Sequence, residues 1–197
     1  MIIGISGKIG SGKDTVAGII QELTNDRWEA KKYADKLKQV CHIVCGGDIR
    51  DQFSREGKAI YISSFGMTIG EIQQLVGTNA MRDNFDENVW VKALMNDYVP
   101  SKGGNVPNWI ITDVRFPNEA AVIRKNGGYL LRLEGDPVDV RKNSDRDLSH
   151  PSETSLDDYR YWDGIIYNTG SMDDLKRYVE NFLVDVENRY DMKFNWL

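Results

Sequence analysis

The chain has 197 residues, of which 41% are hydrophobic and 28% charged, and its net charge at pH 7 is −5. This composition is typical of a folded globular domain, and the negative charge argues against binding to nucleic acid or an anionic membrane through overall charge. No apolar run approaches the roughly 20 residues that cross a bilayer, and the N-terminus lacks the features of a signal peptide. We therefore expect a single cytoplasmic domain over residues 1–197, with no nucleic-acid or membrane partner.

The first predicted elements are a strand, "MIIGIS", and a helix, "DTVAGIIQEL", joined by the loop "GKIGSGKDT". This loop follows the phosphate-loop pattern G-x-x-x-x-G-K from Gly7 to Gly12 and Lys13. Together with Gly10, these glycines let the backbone approach phosphate oxygens, and Lys13 can contact the β- and γ-phosphates. The spacing predicts a nucleotide site, although Asp14 stands where the pattern has a Ser or Thr for magnesium.

Helices dominate the next part of the chain. One is predicted in "YADKLKQVCHIVC" with Asp35 as its N-terminal cap, a second in "TIGEIQQLVG" with Leu75 facing inward, and a third in "ENVWVKALMNDY". The segment 46–67 has glycines and mixed polarity, which indicates a loop-rich region with room for short helices.

From Pro107 onward, strands and helices alternate. The strands are "NWIITDV", "GYLLRLE" and "GIIYN", and the helices are "PNEAAVIRKNG", opened by Pro117, and "SMDDLKRYVENFLVDVENRY". Such alternation predicts a parallel sheet covered by helices on both faces. Ligands of these sheets bind at the carboxyl ends of the strands, where the phosphate loop and the end of "NWIITDV" both lie.

Asp113 and Arg115 follow the strand "NWIITDV". Phosphate-loop proteins often have an acidic residue at such a strand end, where it orients magnesium directly or through water. Arg115 is two residues farther along, so its side chain can point in the same direction from an extended segment. The alternative is that Asp113 only caps a nearby turn.

A long polar loop, "GDPVDVRKNSDRDLSHPSE", contains Arg141, Arg146 and His150. Phosphoryl transfer requires positive charge around the transferred group and exclusion of water, and an arginine-bearing lid supplies both. The alternative is a solvated run of charges. For His150 we expect substrate contact rather than a part in the chemistry.

Several stretches, combined, resemble a known family: "SGKIGSGKDT", "KYADKLKQV", "IQQLVGTNAMRDNFDENVWVKAL", "IITDVRFPNEA", "HPSETSL" and "IIYNTGSMDDL". The chain resembles the deoxynucleoside monophosphate kinases of tailed bacteriophages, within the nucleoside monophosphate kinase group. This resemblance implies an α/β, three-layer phosphate-loop kinase fold with a parallel sheet. It also implies a helical substrate-binding part at about 35–100 and a lid at about 136–152.

The resemblance assigns the nucleotide side of the site. Kinases of this group commonly read K-x-T, so Thr15 supplies the hydroxyl near the phosphates, while Asp14 either contacts the water shell of the metal or caps the helix. The implied ATP-binding residues are Gly10, Ser11, Gly12, Lys13, Asp14, Thr15, Asn168 and Gly170. The implied Mg²⁺ ligands, direct or through water, are Asp14, Thr15 and Asp113. The implied catalytic residues are Lys13, Asp113, Arg115, Arg141 and Arg146.

The resemblance also assigns the substrate side. The implied substrate-binding residues are Asp35, Lys38, Gln74, Arg82, Trp90, Arg115, His150 and Glu153. Arg82 is expected to pair with the substrate phosphate, because a guanidinium group can contact two phosphate oxygens at once. Trp90 has two open interpretations, substrate contact or core. Since segment 46–67 matches no pattern, the preferred base stays open.

The expected activity is ATP- and Mg²⁺-dependent phosphorylation of deoxynucleoside 5′-monophosphates to diphosphates, in the host cytoplasm if the chain is phage-encoded. Two alternatives stay open: another small-molecule kinase of the same architecture, such as a dephospho-coenzyme A or phosphomevalonate kinase, and a nucleotide-gated binding protein. The C-terminal "FNWL" either docks on its own domain or forms a homodimer with a second subunit.

Overall fold

The structure is a computed structural model that describes residues 1–25, 27–100, 104, 106–135 and 151–190. The chain divides into two compact units, the first made of Met1–Lys31 with Pro100–Leu197 and the second of Lys32–Val99. Most of the expected lid lies outside the described residues, and the assignment of a substrate-binding part and a lid stays a prediction.

In chain order the elements are β1 (Ile2–Gly7), α1 (Lys13–Leu23), β2 (Glu29–Lys31), α2 (Tyr33–Cys45), a 3₁₀ turn (Ile49–Gln52), α3 (Arg55–Lys58), β3 (Tyr61–Ile62), β4 (Met67–Thr68), α4 (Ile69–Gln74), a π-helical segment (Leu75–Asp83), α5 (Val89–Met95), β5 (Trp109–Ile111), α6 (Pro117–Lys125), β6 (Tyr129–Glu134), α7 (Pro151–Thr154), β7 (Gly164–Tyr167) and α8 (Met172–Tyr190).

The first unit contains a five-stranded sheet, in the order β2-β5-β1-β6-β7 among the described residues. All its strand pairs are parallel, and β1 lies between β5 and β6, with Ile3 opposite Ile110 and Ile5 opposite Leu131. The predicted parallel sheet is confirmed. The short edge strand β2 was not predicted, because its three residues are mostly exposed and carry no apolar run.

Side chains that alternate along the strands divide the first unit into three layers. Ile5 and Leu131 face a core that they share with α1 and α8, and each is fully buried. Burial of one such side chain stabilises the fold by about 1.5–3 kcal/mol. On the opposite face, Ile123 of α6 and Leu130 of β6 pack closely against Gly4. The three-layer arrangement expected from the family resemblance is thus present.

The second unit is helical, with one two-stranded antiparallel hairpin of β3 and β4. α4 begins at a capping box: the Thr68 hydroxyl accepts from the Glu71 N–H at 3.2 Å, and the Glu71 carboxylate accepts from the Thr68 N–H at 2.7 Å. Inside the unit, the Gln73 amide donates to the Gln52 backbone carbonyl at 2.9 Å. This buried bond links α4 to the 3₁₀ turn, which precedes the hairpin in the chain.

Three expectations about the second unit are corrected. Asp35 does not cap its helix, because Lys32 is already the extended residue before α2 and Asp35 lies in the first turn. Leu75 does not face inward but is 45% exposed, since the chain passes there from α-helix to π-helix and the wider turn changes the facing of each residue. The segment 46–67 holds short helices as expected, but also the hairpin β3–β4, whose two-residue strands are too short for a periodic pattern.

Candidate active site

The phosphate loop connects β1 to α1 at the carboxyl edge of the sheet. Gly10 and Gly12 have φ angles of 81° and 94°, a region that glycine adopts without strain. Gly12 is the N-terminal cap of α1 and provides no side-chain acceptor for the N–H groups of the first turn. An anion at this position would be bound by these N–H groups and by the positive end of the helix dipole, which is the geometry that phosphate binding requires.

Lys13, the first residue of α1, folds its side chain back over the loop. Its Nζ donates to the backbone carbonyls of Gly7 at 2.8 Å and Lys8 at 2.7 Å. Burial and then the positive charge of Arg115 lower the pKa of Lys13 to about 8, although the Glu153 carboxylate acts in the opposite direction. The predicted phosphate ligand is therefore largely removed from solvent and held at the loop.

Asp14 lies beside the end of β5. The Thr112 hydroxyl donates to Asp14 Oδ1 at 2.9 Å, and Asp113 follows directly in the chain. Thr15, the next residue after Asp14, is exposed at the start of α1. The structure thus brings two of the three predicted metal ligands, Asp14 and Thr15, to the same helix turn, with the β5 end next to them.

Within the described ranges, no group of three or more His, Cys, Asp or Glu side chains is arranged to hold a metal ion. Magnesium usually keeps several waters and needs only one or two carboxylates together with phosphate oxygens. Asp14, with Thr15 next to it in the chain and Asp113 next to its bonded partner Thr112, fits that requirement.

Arg115 is held in place through both its backbone and its side chain. Its backbone N–H donates to Glu119 Oε2 at 2.7 Å, in the first turn of α6. Its guanidinium Nη1 donates to the Glu153 carboxylate and to the Ser152 carbonyl, the latter at 3.2 Å. Glu153 was expected to contact the substrate, whereas its side chain is 3% exposed and bonded within the first unit.

Arg132 is a residue of this region that sequence reasoning missed. It lies in β6 and is buried, with Nη1 donating to the Ser6 hydroxyl at 3.1 Å and Nε to Glu134 at 2.8 Å. Its positive charge contributes to the lowered pKa of Lys13. The signal was available in "YLLRLE", where an arginine interrupts an apolar strand and requires a polar partner.

Asn168 follows β7, and its side chain is buried against the phosphate loop. Its amide Nδ2 donates to the Ser11 carbonyl at 2.9 Å, and a Cβ at Gly12 would lie 2.7 Å from the same nitrogen. Gly170, two residues on, is exposed. The structure thus places Asn168 at the loop itself, while contact with adenine by Asn168 and Gly170 stays a prediction.

The predicted substrate residues of the second unit differ in their surroundings. Lys38 lies 3.4 Å from Asp35 and 4.5 Å from the centre of the Phe53 ring. Gln74 is exposed and Arg82, in the π-helical segment, is half-buried. These residues are partly exposed, and Lys38 and Arg82 are the two positively charged ones among them.

Trp90 is 6% exposed, and its indole N–H donates to the Gly77 carbonyl at 2.9 Å within the second unit. This geometry supports the interpretation of Trp90 as a core residue. The predicted lid residues Arg141, Arg146 and His150 lie outside the described residues. Of the helices that the structure describes, none is both long enough and apolar enough to cross a membrane.

Comparison with known proteins gives a consistent result. A family model described as deoxynucleotide monophosphate kinase matches residues 47–179. The chain is 28% identical over 190 residues to a protein of Acanthamoeba polyphaga mimivirus that is provisionally named a deoxynucleotide monophosphate kinase, covering 88% of this chain and 91% of that protein. It is 27% identical over 116 residues to the deoxynucleotide monophosphate kinase of Enterobacteria phage T4, covering 59% of this chain and 45% of that protein.

Among solved structures, shikimate kinase from Aquifex aeolicus superposes with a TM-score of 0.52 at 16% identity. The superposition covers 96% of this chain and 98% of that chain. At this identity the likeness concerns the fold alone, and it agrees with the kinase fold expected from the sequence.

Proposed function

The chain belongs to the deoxynucleotide monophosphate kinase family, and from this membership we propose that it transfers the γ-phosphate of ATP to a deoxynucleoside 5′-monophosphate, yielding a diphosphate. The observation that carries the proposal is the cationic end of the sheet, where Lys13 lies over the phosphate loop and Arg115 is joined to that loop through Glu153. Phosphoryl transfer needs mainly such positioning and charge neutralisation.

On the ATP side, the first turn of α1 binds phosphate oxygens through its N–H groups. Lys13, now bonded to two loop carbonyls, exchanges them for phosphate oxygens, and Arg115 neutralises charge on the transferred group. Asn168 keeps the loop in its shape through the Ser11 carbonyl. Lys13 and Asn168 already lie at the loop, so their roles require only an exchange of hydrogen-bond partners at Lys13.

Magnesium, when bound, neutralises charge between the phosphates. Asp14, Thr15 and Asp113 would hold it, directly or through water. The bond from Thr112 fixes the Asp14 carboxylate at the β5 end, where such a ligand is required.

For the substrate side, we assign the monophosphate to Arg82 and Lys38; Asp35 lies 3.4 Å from Lys38, and Gln74 belongs to the same unit. π-helical segments occur frequently at functional sites, and Arg82 lies in one. Arg141, Arg146 and His150 complete the proposed lid. The reaction belongs to the cytoplasm, and a homodimer stays an open alternative.

A coupled assay of ADP release tests this function. Purified protein with ATP and Mg²⁺ is offered each deoxynucleoside and ribonucleoside monophosphate in turn, with an acceptor-free control and with dephospho-coenzyme A and phosphomevalonate as competing acceptors. We expect ADP release that depends on a deoxynucleoside monophosphate. Release with only one of the competing acceptors, or ATP binding without release on any acceptor, would contradict the proposal.

A further inference from the structure

Glu153 lies in α7 (Pro151–Thr154), and its side chain is 3% exposed. One carboxylate oxygen, Oε1, accepts from Arg115 Nη1, and the other, Oε2, accepts from the backbone N–H of Ile9 at 3.3 Å. Ile9 belongs to the phosphate loop, whereas Arg115 follows β5. A single buried carboxylate therefore joins the two parts of the first unit to which the proposed reaction assigns the phosphates of ATP.

The same short helix is fastened at a second place. Lys8, which occupies a variable position of the phosphate-loop pattern, donates through Nζ to the Glu153 backbone carbonyl and to the Asp157 carboxylate. Arg115 also donates to the Ser152 carbonyl at 3.2 Å. Lys8 and Arg115 thus both hold the backbone of α7, from which the Glu153 side chain extends.

Charge explains why this carboxylate remains ionised although it is buried. Burial alone raises the pKa of Glu153, but the Arg115 charge and hydrogen bond, the Ile9 N–H and the Lys13 charge lower it, and the net direction is downward. At neutral pH Glu153 is therefore an anion between a guanidinium group and a loop N–H. Such a pair has a directed geometry, because a charge-assisted bond to arginine is short and strong.

We infer that Glu153 is a positioning residue, which sets the Arg115 guanidinium at a fixed place relative to the phosphate loop. The inference rests on the proposed function for the role of Arg115. It differs from the expectation of a substrate contact, because both oxygens of this buried carboxylate already have partners within the first unit. A displacement of about 1 Å at such a group can cost roughly 10²-fold in rate.

The residue type follows from the two bonds. Glutamine has one acceptor oxygen, so it cannot accept from Arg115 and Ile9 with two separate oxygens, and its NH₂ group would face a donor. Aspartate keeps the charge but is one methylene shorter, so it cannot reach both partners from the same backbone position. The variants E153Q and E153D therefore remove the bridge in two different ways.

The test is a double-mutant cycle, in which kcat and Tm are measured for E153Q, Arg115→Met and the double variant. E153D is measured in parallel. We expect E153Q to lower kcat by roughly 10–100-fold, with the KM for ATP changed by less than about threefold. In the Arg115→Met background, E153Q should lower kcat by less than about threefold, because its effect passes through Arg115. Thermal unfolding without nucleotide should show the same coupling, with Tm losses of the single variants that do not add.

Asp163→Asn is the matched control. Asp163 is also a nearly buried carboxylate, and its partners include Arg124 at 3.1 Å and the Leu130 N–H at 2.8 Å, but it joins α6 to β6 instead of the phosphate loop. We expect a lower Tm with kcat within about twofold of wild type.

Two results would overturn the inference: near-normal kcat in folded E153Q, or the full loss of kcat by E153Q also in the Arg115→Met background. Wild-type activity in the same assay reports on the proposed function separately. If the wild type phosphorylates no acceptor, the proposed function fails, and the unfolding cycle still decides whether Glu153 holds Arg115: additive Tm losses would reject the bridge.

Discussion

The two units of the chain differ in the contacts that hold their predicted site residues. In the first unit, the phosphate loop is held by bonds between residues far apart in sequence, such as Ile9 to Glu153 and Asn168 to Ser11. In the second unit, Lys38 pairs with Asp35 only three residues away, and Gln74 is exposed. The phosphate loop is therefore held by several bonds between distant residues, whereas Lys38 combines a local pair with Asp35 and a contact with the Phe53 ring.

The surroundings of these residues differ as well. β1, β5 and β6, the strands next to the phosphate loop, consist almost wholly of buried residues, whereas the Phe53 ring beside Lys38 is 44% exposed. A phosphate group is recognised by backbone N–H groups and cations in fixed positions. A base is recognised by side chains and apolar surface, and these can vary without a change of fold. This difference explains why the phosphate loop follows a general pattern and the base preference does not.

The largest effect is expected where the first unit loses its phosphate ligand. Lys13→Ala should lower kcat by roughly 10²–10³-fold, because one preorganised charge at the transferred group is removed. Steady-state kinetics measures this, and circular dichroism should show an unchanged fold. Lys176→Ala, which breaks the exposed pair with Glu22, is the control and should keep wild-type rates. Near-normal turnover of a folded Lys13→Ala protein would remove the central assignment.

A substitution at Arg82 in the second unit should change the KM for the acceptor and not the KM for ATP. Arg82→Met is expected to raise the KM for the monophosphate by roughly 10–100-fold through loss of a charge-assisted bond, with the KM for ATP within about twofold. Arg82→Lys should recover only part, since lysine lacks the paired donors. The exposed Arg55 of the same unit gives the control Arg55→Met. If Arg82→Met raised the KM for ATP as much as the KM for the monophosphate, the assignment of Arg82 to the acceptor would be wrong.

The pH dependence sharpens the assignment of Lys13. Its pKa in the free protein is about 8, so the charged form, which binds phosphate, predominates below pH 8 and is lost above it. We expect kcat/KM for ATP to fall by about tenfold per pH unit above this value. The fall in kcat should come at higher pH, because bound phosphates favour the charged lysine. Lys13→Arg keeps its charge over this pH range, so it should not show the fall of kcat/KM above pH 8. A wild-type kcat/KM that stays constant from pH 7 to 9.5 would contradict the titration of Lys13.

The smallest effect separates the two interpretations of Trp90. Trp90→Phe removes the bond to the Gly77 carbonyl and should lower the free energy of unfolding by about 1 kcal/mol. Denaturant titration measures this loss. As a core residue, Trp90 should leave the KM for the monophosphate unchanged after substitution. A raised KM with unchanged stability would instead place Trp90 in substrate binding.

Several features could be predicted because they depend on residues close together in sequence. The phosphate loop was recognised from its glycine spacing, and α6 from Pro117 at its start. The prediction that Asp35 caps its helix was wrong, because Lys32, three residues earlier, already has the extended backbone that precedes the helix. The inward position of Leu75 was wrong because no periodic pattern indicates a change from α-helix to π-helix.

The parallel α/β fold and the phosphate loop could be predicted from the sequence, because alternating periodicity and glycine spacing are local properties of the chain. The family was indicated by the resemblance of several motifs. Three contacts became evident only from the folded structure: Glu153 joins Arg115 to the phosphate loop, Asn168 donates to Ser11, and Arg132 is buried beside Ser6. These pairs lie 38 to 157 residues apart. A polar side chain shows from sequence that it needs a partner, but which partner it finds depends on strand order and packing.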